Sequence, residues 1–233
     1  MKTIGLVGGM SWESTLGYYR AINLGVKQAL GGLHSASIVL HSVDFEPIEK
    51  LQHQGDWDGT AEILINAAKS VEAGGADFVL ICTNTMHKVA AQIEQSIRIP
   101  LLHIADATAD VLVRDGVRKV GLLGTAFTME QAFYKERLAE PHGLEVLVPD
   151  AADRQLVHRI IYQELCQGQI KPESRQAYMQ IVKTLSDAGA EAVILGCTEI
   201  GMLIKQQDTE VPLYDTTAIH AAKAVEWALQ SGG

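Results

Sequence analysis

The chain has 233 residues, 47% hydrophobic and 20% charged, with 19 Lys and Arg against 28 Asp and Glu for a formal net charge of -9. That is an ordinary soluble globular composition, long enough to bury a core in one large domain or two small ones. The negative balance repels phosphate backbones and anionic lipid, which argues against nucleic-acid and membrane partners. Apolar runs such as 78–82 and 192–195 are far short of the roughly 20 residues needed to span a bilayer. Met1-Lys2-Thr3-Ile4 runs straight into a Gly-rich segment with no apolar leader, and Cys82, Cys166 and Cys197 cannot build a disulfide framework. A reducing cytoplasm is the expected location.

In chain order, β-branched-rich runs alternate with longer amphipathic ones. Strands are expected over 3–7, 37–43, 77–82, 119–123, 145–148 and 191–195, with shorter candidates at 100–103 and 211–214. Helices are expected over 14–30, 58–73, 129–139, 153–167, 172–188 and about 217–229. Between 58 and 73 the set Ala61, Ile63, Leu64, Ala67, Ala68 and Val71 recurs at helical spacing, and Gly74-Gly75 stops it. Strands followed by long helices mean βαβ units, hence an α/β fold with parallel sheets.

The chain also repeats itself. Gly75-Ala76-Asp77-Phe78-Val79-Leu80-Ile81 returns 114 residues on as Gly189-Ala190-Glu191-Ala192-Val193-Ile194-Leu195. Ile4-Gly5-Leu6-Val7-Gly8 returns after 116 as Val120-Gly121-Leu122-Leu123-Gly124, and Ile99-Pro100-Leu101 after 112 as Val211-Pro212-Leu213. Three weak matches in one order near one offset predict two pseudo-symmetric α/β halves. The first is expected over 1–115, completed by a C-terminal segment 217–233, and the second over 116–216.

In open parallel sheets, ligands sit beyond the carboxyl ends of the strands. Gly8-Gly9-Met10-Ser11, Thr83-Asn84-Thr85, Gly124-Thr125 and Cys197-Thr198-Glu199 occupy that place, and two facing halves are expected to gather them around one cleft. The repeat makes Thr83, not Cys82, the counterpart of Cys197. Strand alternation should aim Cys82 the other way.

Each segment has two readings. Cys197 is either a small buried hydrophobe or, between a strand end and a helix start, a thiol whose pKa is pulled down toward reactivity. Thr83-Asn84-Thr85 is a helix-capping cluster, a carboxylate-binding helix start, or both, and Thr125 invites the same pair. Gly5-x-x-Gly8-Gly9 is neither a dinucleotide fingerprint nor a phosphate loop, so a tight strand-to-helix turn is expected. No histidine spacing suggests a metal site, and Lys50, Lys69 and Lys88 do not stand out as pyridoxal-phosphate lysines. Cys166 reads as a helix packing residue.

Taken together, Gly-Leu-Val-Gly-Gly-Met-Ser-Trp-Glu-Ser at the N-terminus, Asn84-Thr85-x-His87 and Gly196-Cys197-Thr198-Glu199 resemble the aspartate/glutamate racemase superfamily over nearly the whole length. The likeness is strongest to bacterial racemases of the L-aspartate/glutamate, broad-specificity type. The resemblance implies two α/β halves with the active site between them, no cofactor, no metal, a small amino-acid substrate and a homodimer. It implies a catalytic pair that moves the α-proton, normally two cysteines. Here the pair becomes Thr83 and Cys197, with Cys197 taking the L-enantiomer's proton and Thr83 delivering one from the other side. Asn84, Thr85 and Thr198 would hold the substrate carboxylate, Thr125 would join the substrate-binding set, and Glu199 would accept from the substrate ammonium. Met10 and Gln52 would line the side-chain pocket. Many acidic-substrate members carry a basic residue near Pro47–Ile48 or Glu164; this chain has none there, which leaves room for uncharged amino acids.

Two rivals follow from the same residues. A single thiol is enough for an enzyme resembling arylmalonate decarboxylase or maleate isomerase. A two-domain amino-acid sensor would need no chemistry at all.

Overall fold

The structure is a computed structural model that describes residues 1–230. The final three residues of the expected 217–233 segment therefore lie outside the described residues. The chain divides into two compact units, one formed by 1–104 with 220–230, the other by 105–219. The division falls at Ile104/Ala105 rather than near residue 115, because the helix Ile104–Arg114 goes almost wholly with the second unit.

The first unit is built on β1 (Ile4–Gly8), β2 (Ile38–Ser42) and β3 (Phe78–Ile81), parallel in the order β2-β1-β3. Both faces of this sheet are covered, and the strand residues alternate between them. Val7, Val79 and Ile81 pack with Leu64, Ala67, Ala68 and Val71 of the helix Trp57–Ala73. Ile4, Leu6, Phe78 and Leu80 pack on the other side with Tyr18, Ile22 and Val26 of the helix Trp12–Leu30 and with Ala221, Ala224 and Ala228 near the C-terminus. The expected glycine stop after Ala73 is divided between two residues. Gly74 caps the helix in ordinary right-handed geometry, and Gly75, at φ +90, turns the chain toward β3.

The second unit contains β4 (Lys119–Gly124), β5 (Glu145–Leu147), β6 (Ala192–Gly196) and β7 (Leu213–Asp215), all parallel, in the order β5-β4-β6-β7. Superposed in sequence, β2-β1-β3 and β5-β4-β6 are the same arrangement. The expected strand at 100–103 contracts to a single bridge between Val79 and Leu101, where its counterpart pairs Val193 with Leu213 in a full strand. Even the clamp at the sheet entrance repeats. The Asp77 carboxylate accepts from Thr3 N–H at 2.6 Å, and Glu191 accepts from Arg118 and Lys119 N–H at 2.6 and 3.1 Å.

Differences from the expected elements have local causes. The 129–139 helix starts earlier and breaks in two, Ala126–Glu130 and Ala132–Ala139, because Gln131 is extended at ψ 151. The 153–167 helix ends at Gln163, and Leu165–Gln167 forms a separate 3₁₀ turn holding the partly buried Cys166. The helices Phe45–Gln54 and Ile104–Arg114 were not anticipated. Among the described residues, no helix is long and apolar enough to cross a membrane.

Candidate active site

In the first unit the sheet ends in two loops. After β1, Gly9 turns at φ +99, and a side chain there would strike the backbone of Val43. Its N–H donates to the Thr15 hydroxyl at 2.8 Å, and that hydroxyl donates to the Ser11 carbonyl at 2.9 Å. Ser11 caps the helix Trp12–Leu30 by accepting from Ser14 N–H. The tight-turn reading of this glycine segment is thus what the structure holds. Met10, immediately before the cap, is buried beside Val7, Ile48 and Met86. Gln52 is buried on the helix Phe45–Gln54.

The second loop follows β3. Cys82 makes the last ladder bond, its N–H donating to Val7 C=O at 2.9 Å, and its side chain is fully buried among Leu6, Tyr18, Leu80 and Leu102. Burial alone pushes its thiol far up, out of the reactive range. Thr83, Asn84 and Thr85 come next, all nearly buried, and lead into a 3₁₀ turn Thr85–Val89. Asn84 stands at the cap position but in helical geometry (φ -74, ψ -48), and its side chain makes no capping bond. The capping half of its double reading therefore does not hold.

The second unit repeats the plan with different chemistry. Thr125 does act as a cap: its hydroxyl accepts from Thr128 N–H at 3.3 Å at the start of Ala126–Glu130. Cys197 follows β6 and precedes a single helical turn, Ile200–Leu203. Its thiol donates to Glu199 Oε2 at 3.0 Å, and the Thr198 hydroxyl donates to the same oxygen at 2.7 Å. All three residues are buried. The thiol pKa is raised well above its ordinary value, by burial first and then by the Glu199 charge. The expected lowering is overturned: one helical turn supplies little dipole, and a carboxylate beside a buried thiol opposes ionisation.

Two features escaped the sequence reading. Tyr178, fully buried on the helix Pro172–Asp187, donates to Val157 C=O at 3.2 Å and interacts electrostatically with Cys197, Cys166, Glu164 and Glu199. Only its inward helical position marks it in the sequence. The other is the contact made by His87, a residue already noted in the Asn84-Thr85-x-His87 motif: its Nδ1 donates to Thr83 C=O at 2.8 Å, a four-residue return that the spacing 83 to 87 could have suggested. The structure thus gathers Thr83, Asn84, Thr85 and His87 at one strand end, and Cys197, Thr198 and Glu199 at the equivalent strand end of the other unit.

The profile of the Asp/Glu/hydantoin racemase family matches residues 7–224. A Bacillus subtilis protein named broad-specificity amino-acid racemase RacX is 27% identical over 174 residues, 73% of either chain. A crystal structure from Yersinia pestis carrying a provisional Asp/Glu racemase designation is 57% identical, covers 99% of this chain and 100% of its own, and superposes with a TM-score of 0.92. An aspartate racemase homologue from Pyrococcus horikoshii OT3 is 37% identical, with 98% and 99% coverage and a TM-score of 0.83. The chain belongs to the Asp/Glu/hydantoin racemase family and is an isomerase of the amino-acid racemase type.

Proposed function

We propose that this enzyme interconverts the L- and D-forms of a small amino acid without a cofactor, with Cys197 and Thr83 as the acid-base pair. The observation that carries the reading is the buried thiol of Cys197 hydrogen-bonded to Glu199 at 3.0 Å, on a strand end equivalent to that of Thr83. A thiol whose pKa is raised cannot rest as an anion, so it needs a base, and Glu199 is in bonding distance of the proton to be moved.

Glu199 takes the Cys197 proton, and the thiolate removes the α-proton of the L-enantiomer, breaking C–H and reforming S–H. Charge builds on the substrate carboxylate, where Asn84, Thr85 and Thr125 are suited to donate. The Thr83 hydroxyl then delivers its proton to the opposite face, and the proton held by Glu199 returns to Thr83 through solvent. Glu199 thereby acquires the role of base beside Cys197 in place of ammonium acceptor. Thr198, whose hydroxyl is donated to Glu199, supports that base.

Met10 and Gln52 line the side-chain pocket in this reading. The assigned set of Met10, Gln52, Thr83, Asn84, Thr85, Thr125, Cys197, Thr198 and Glu199 contains no basic side chain. Uncharged amino acids should therefore be accepted alongside aspartate and glutamate. The reading includes a cytoplasmic homodimer. Chiral chromatography of purified protein incubated with L- and D-glutamate, L-aspartate and several neutral amino acids tests it. Formation of the opposite enantiomer, lost in Cys197→Ser, is expected; no inversion of any of them would remove the reading. A lone thiol also suits decarboxylation, and release of CO2 from a phenylmalonate without racemisation would favour that rival.

A further inference from the structure

Threonine is a much weaker acid than a thiol, so its usefulness depends on where its hydroxyl is held. Thr83 lies just past the last ladder bond of β3, and the sheet no longer fixes its carbonyl. The carbonyl is instead bound by His87 Nδ1 at 2.8 Å, while His87 Nε2 receives the Ile104 backbone N–H at 3.3 Å. A carbonyl can only accept and a backbone N–H can only donate. The ring must therefore be neutral, with its proton on Nδ1.

Its neighbours are suited to that state. The His103 and His220 rings lie edge-on at 4.4 and 6.0 Å, and both are buried. His220 Nε2 donates to Leu102 C=O at 2.8 Å, leaving Nδ1 to accept from the Tyr18 hydroxyl at 2.9 Å. Burial lowers the His220 pKa to about 3, so that ring is neutral at physiological pH.

Among the described residues, no imidazole braces the equivalent strand end in the second unit. Cys197 C=O receives the backbone N–H of Ile200 at 3.1 Å. The position corresponding to His87 is Gly201, where even a Cβ would crowd the Asp215 carboxylate.

We propose that His87 is a positioning residue for Thr83, a neutral imidazole strut that fixes the Thr83 peptide and, through the stiff χ1 of a β-branched side chain, the direction of its hydroxyl. The inference rests on the reading of Thr83 as the second acid-base group. It assigns to His87 no contact with the substrate.

The test separates proton removal by Cys197 from proton delivery by Thr83. In deuterated buffer, α-proton loss from an L-amino acid reports Cys197, and the fraction of lost protons that ends in the D-enantiomer reports Thr83. His87→Leu should lower that fraction about tenfold or more, the scale expected of a misplaced reacting group, while α-proton loss stays within about threefold. His87→Asn, which keeps a donor where Nδ1 stood, should recover much of it. If loss and inversion fall in parallel, or neither changes, the strut proposal is overturned.

Thr83→Val in the same assay distinguishes the two layers. Inversion surviving in Thr83→Val removes the Thr83 reading itself. Inversion lost in Thr83→Val but intact in His87→Leu removes only the strut. Side-chain ¹⁵N spectra of the intact wild-type protein provide a readout independent of variant folding. They should show His87 as the Nδ1–H tautomer at neutral pH, and an Nε2–H tautomer or an imidazolium there contradicts the proposal.

Discussion

The Cys197 thiol and the Thr198 hydroxyl donate to one and the same oxygen of Glu199, at 3.0 and 2.7 Å. The carboxylate is thereby held against the thiol instead of being free to swing toward solvent. It raises the thiol pKa at rest and is the nearest acceptor when the thiol must lose its proton. These two effects have opposite experimental signs.

Glu199→Gln should therefore uncouple them. Without the neighbouring charge the Cys197 pKa falls, and alkylation by a small haloacetamide at pH 8 should accelerate several-fold relative to wild type. Racemisation should drop by about 10²- to 10⁴-fold, the usual worth of a positioned general base. Both rates falling together would mean that Glu199 acts on the fold and not on the proton.

The unlike pair, a threonine and a cysteine, should show in the kinetics. In achiral solution the two enantiomers have equal free energy, so kcat/KM must be the same in both directions. The asymmetry of the pair appears instead as unequal kcat and unequal KM. Progress curves from pure L- and pure D-substrate should give a larger kcat in the direction where Thr83 acts as acid. Equal kcat values would show that the two groups are matched, and the Thr83 assignment would fail.

The repeat was legible because it rests on apolar strands and their flanking residues. Strand alternation puts Cys82 on the same face as Leu80, and there it packs with Tyr18 and Leu102 in the core. The rest depended on contacts between segments distant in sequence. Nothing near Cys197 announced that Glu199 would turn back onto its neighbour's thiol, so the helix-start argument predicted the wrong direction for its pKa. The His87 brace depends on Ile104, seventeen residues on, reaching the other side of the ring. The 100–103 segment has strand composition, yet it pairs only at Leu101, leaving His103 to pack edge-on against His87.

Cys82 serves as a control for the nucleophile. Cys82→Ala should leave kcat within about twofold, since the thiol belongs to the core and takes no part in the chemistry. It should cost about 1–2 kcal/mol of stability for the lost packing, read as a melting temperature about 3–6 °C lower. A large loss of kcat with the melting temperature unchanged would return Cys82 to the mechanism.

His220 predicts an acid limit to stability. Burial lowers its pKa to about 3, against about 6.5 in an unfolded chain. The folded state thus holds it neutral while the unfolded state gains a proton below about pH 6.5. Its contribution is complete above that pH and is lost as pH falls toward 3, at about 1.4 kcal/mol per unit. Urea midpoints measured from pH 7.5 down to pH 5 should fall, with about 2 kcal/mol lost to this group at pH 5. In His220→Gln the slope should be shallower by about one proton; an unchanged slope would show that His220 does not hold this linkage.

The central claim is that Cys197 and Thr83 move the α-proton from different sides, and proton NMR in deuterated buffer addresses it most directly. Wild-type enzyme given an L-amino acid should lose the α-proton signal and accumulate deuterated D-product. Thr83→Val should still exchange the L-enantiomer but yield no D-product, and Cys197→Ser should leave the L-enantiomer's α-proton in place. Exchange of the L-enantiomer by Cys197→Ser at the wild-type rate would contradict the account.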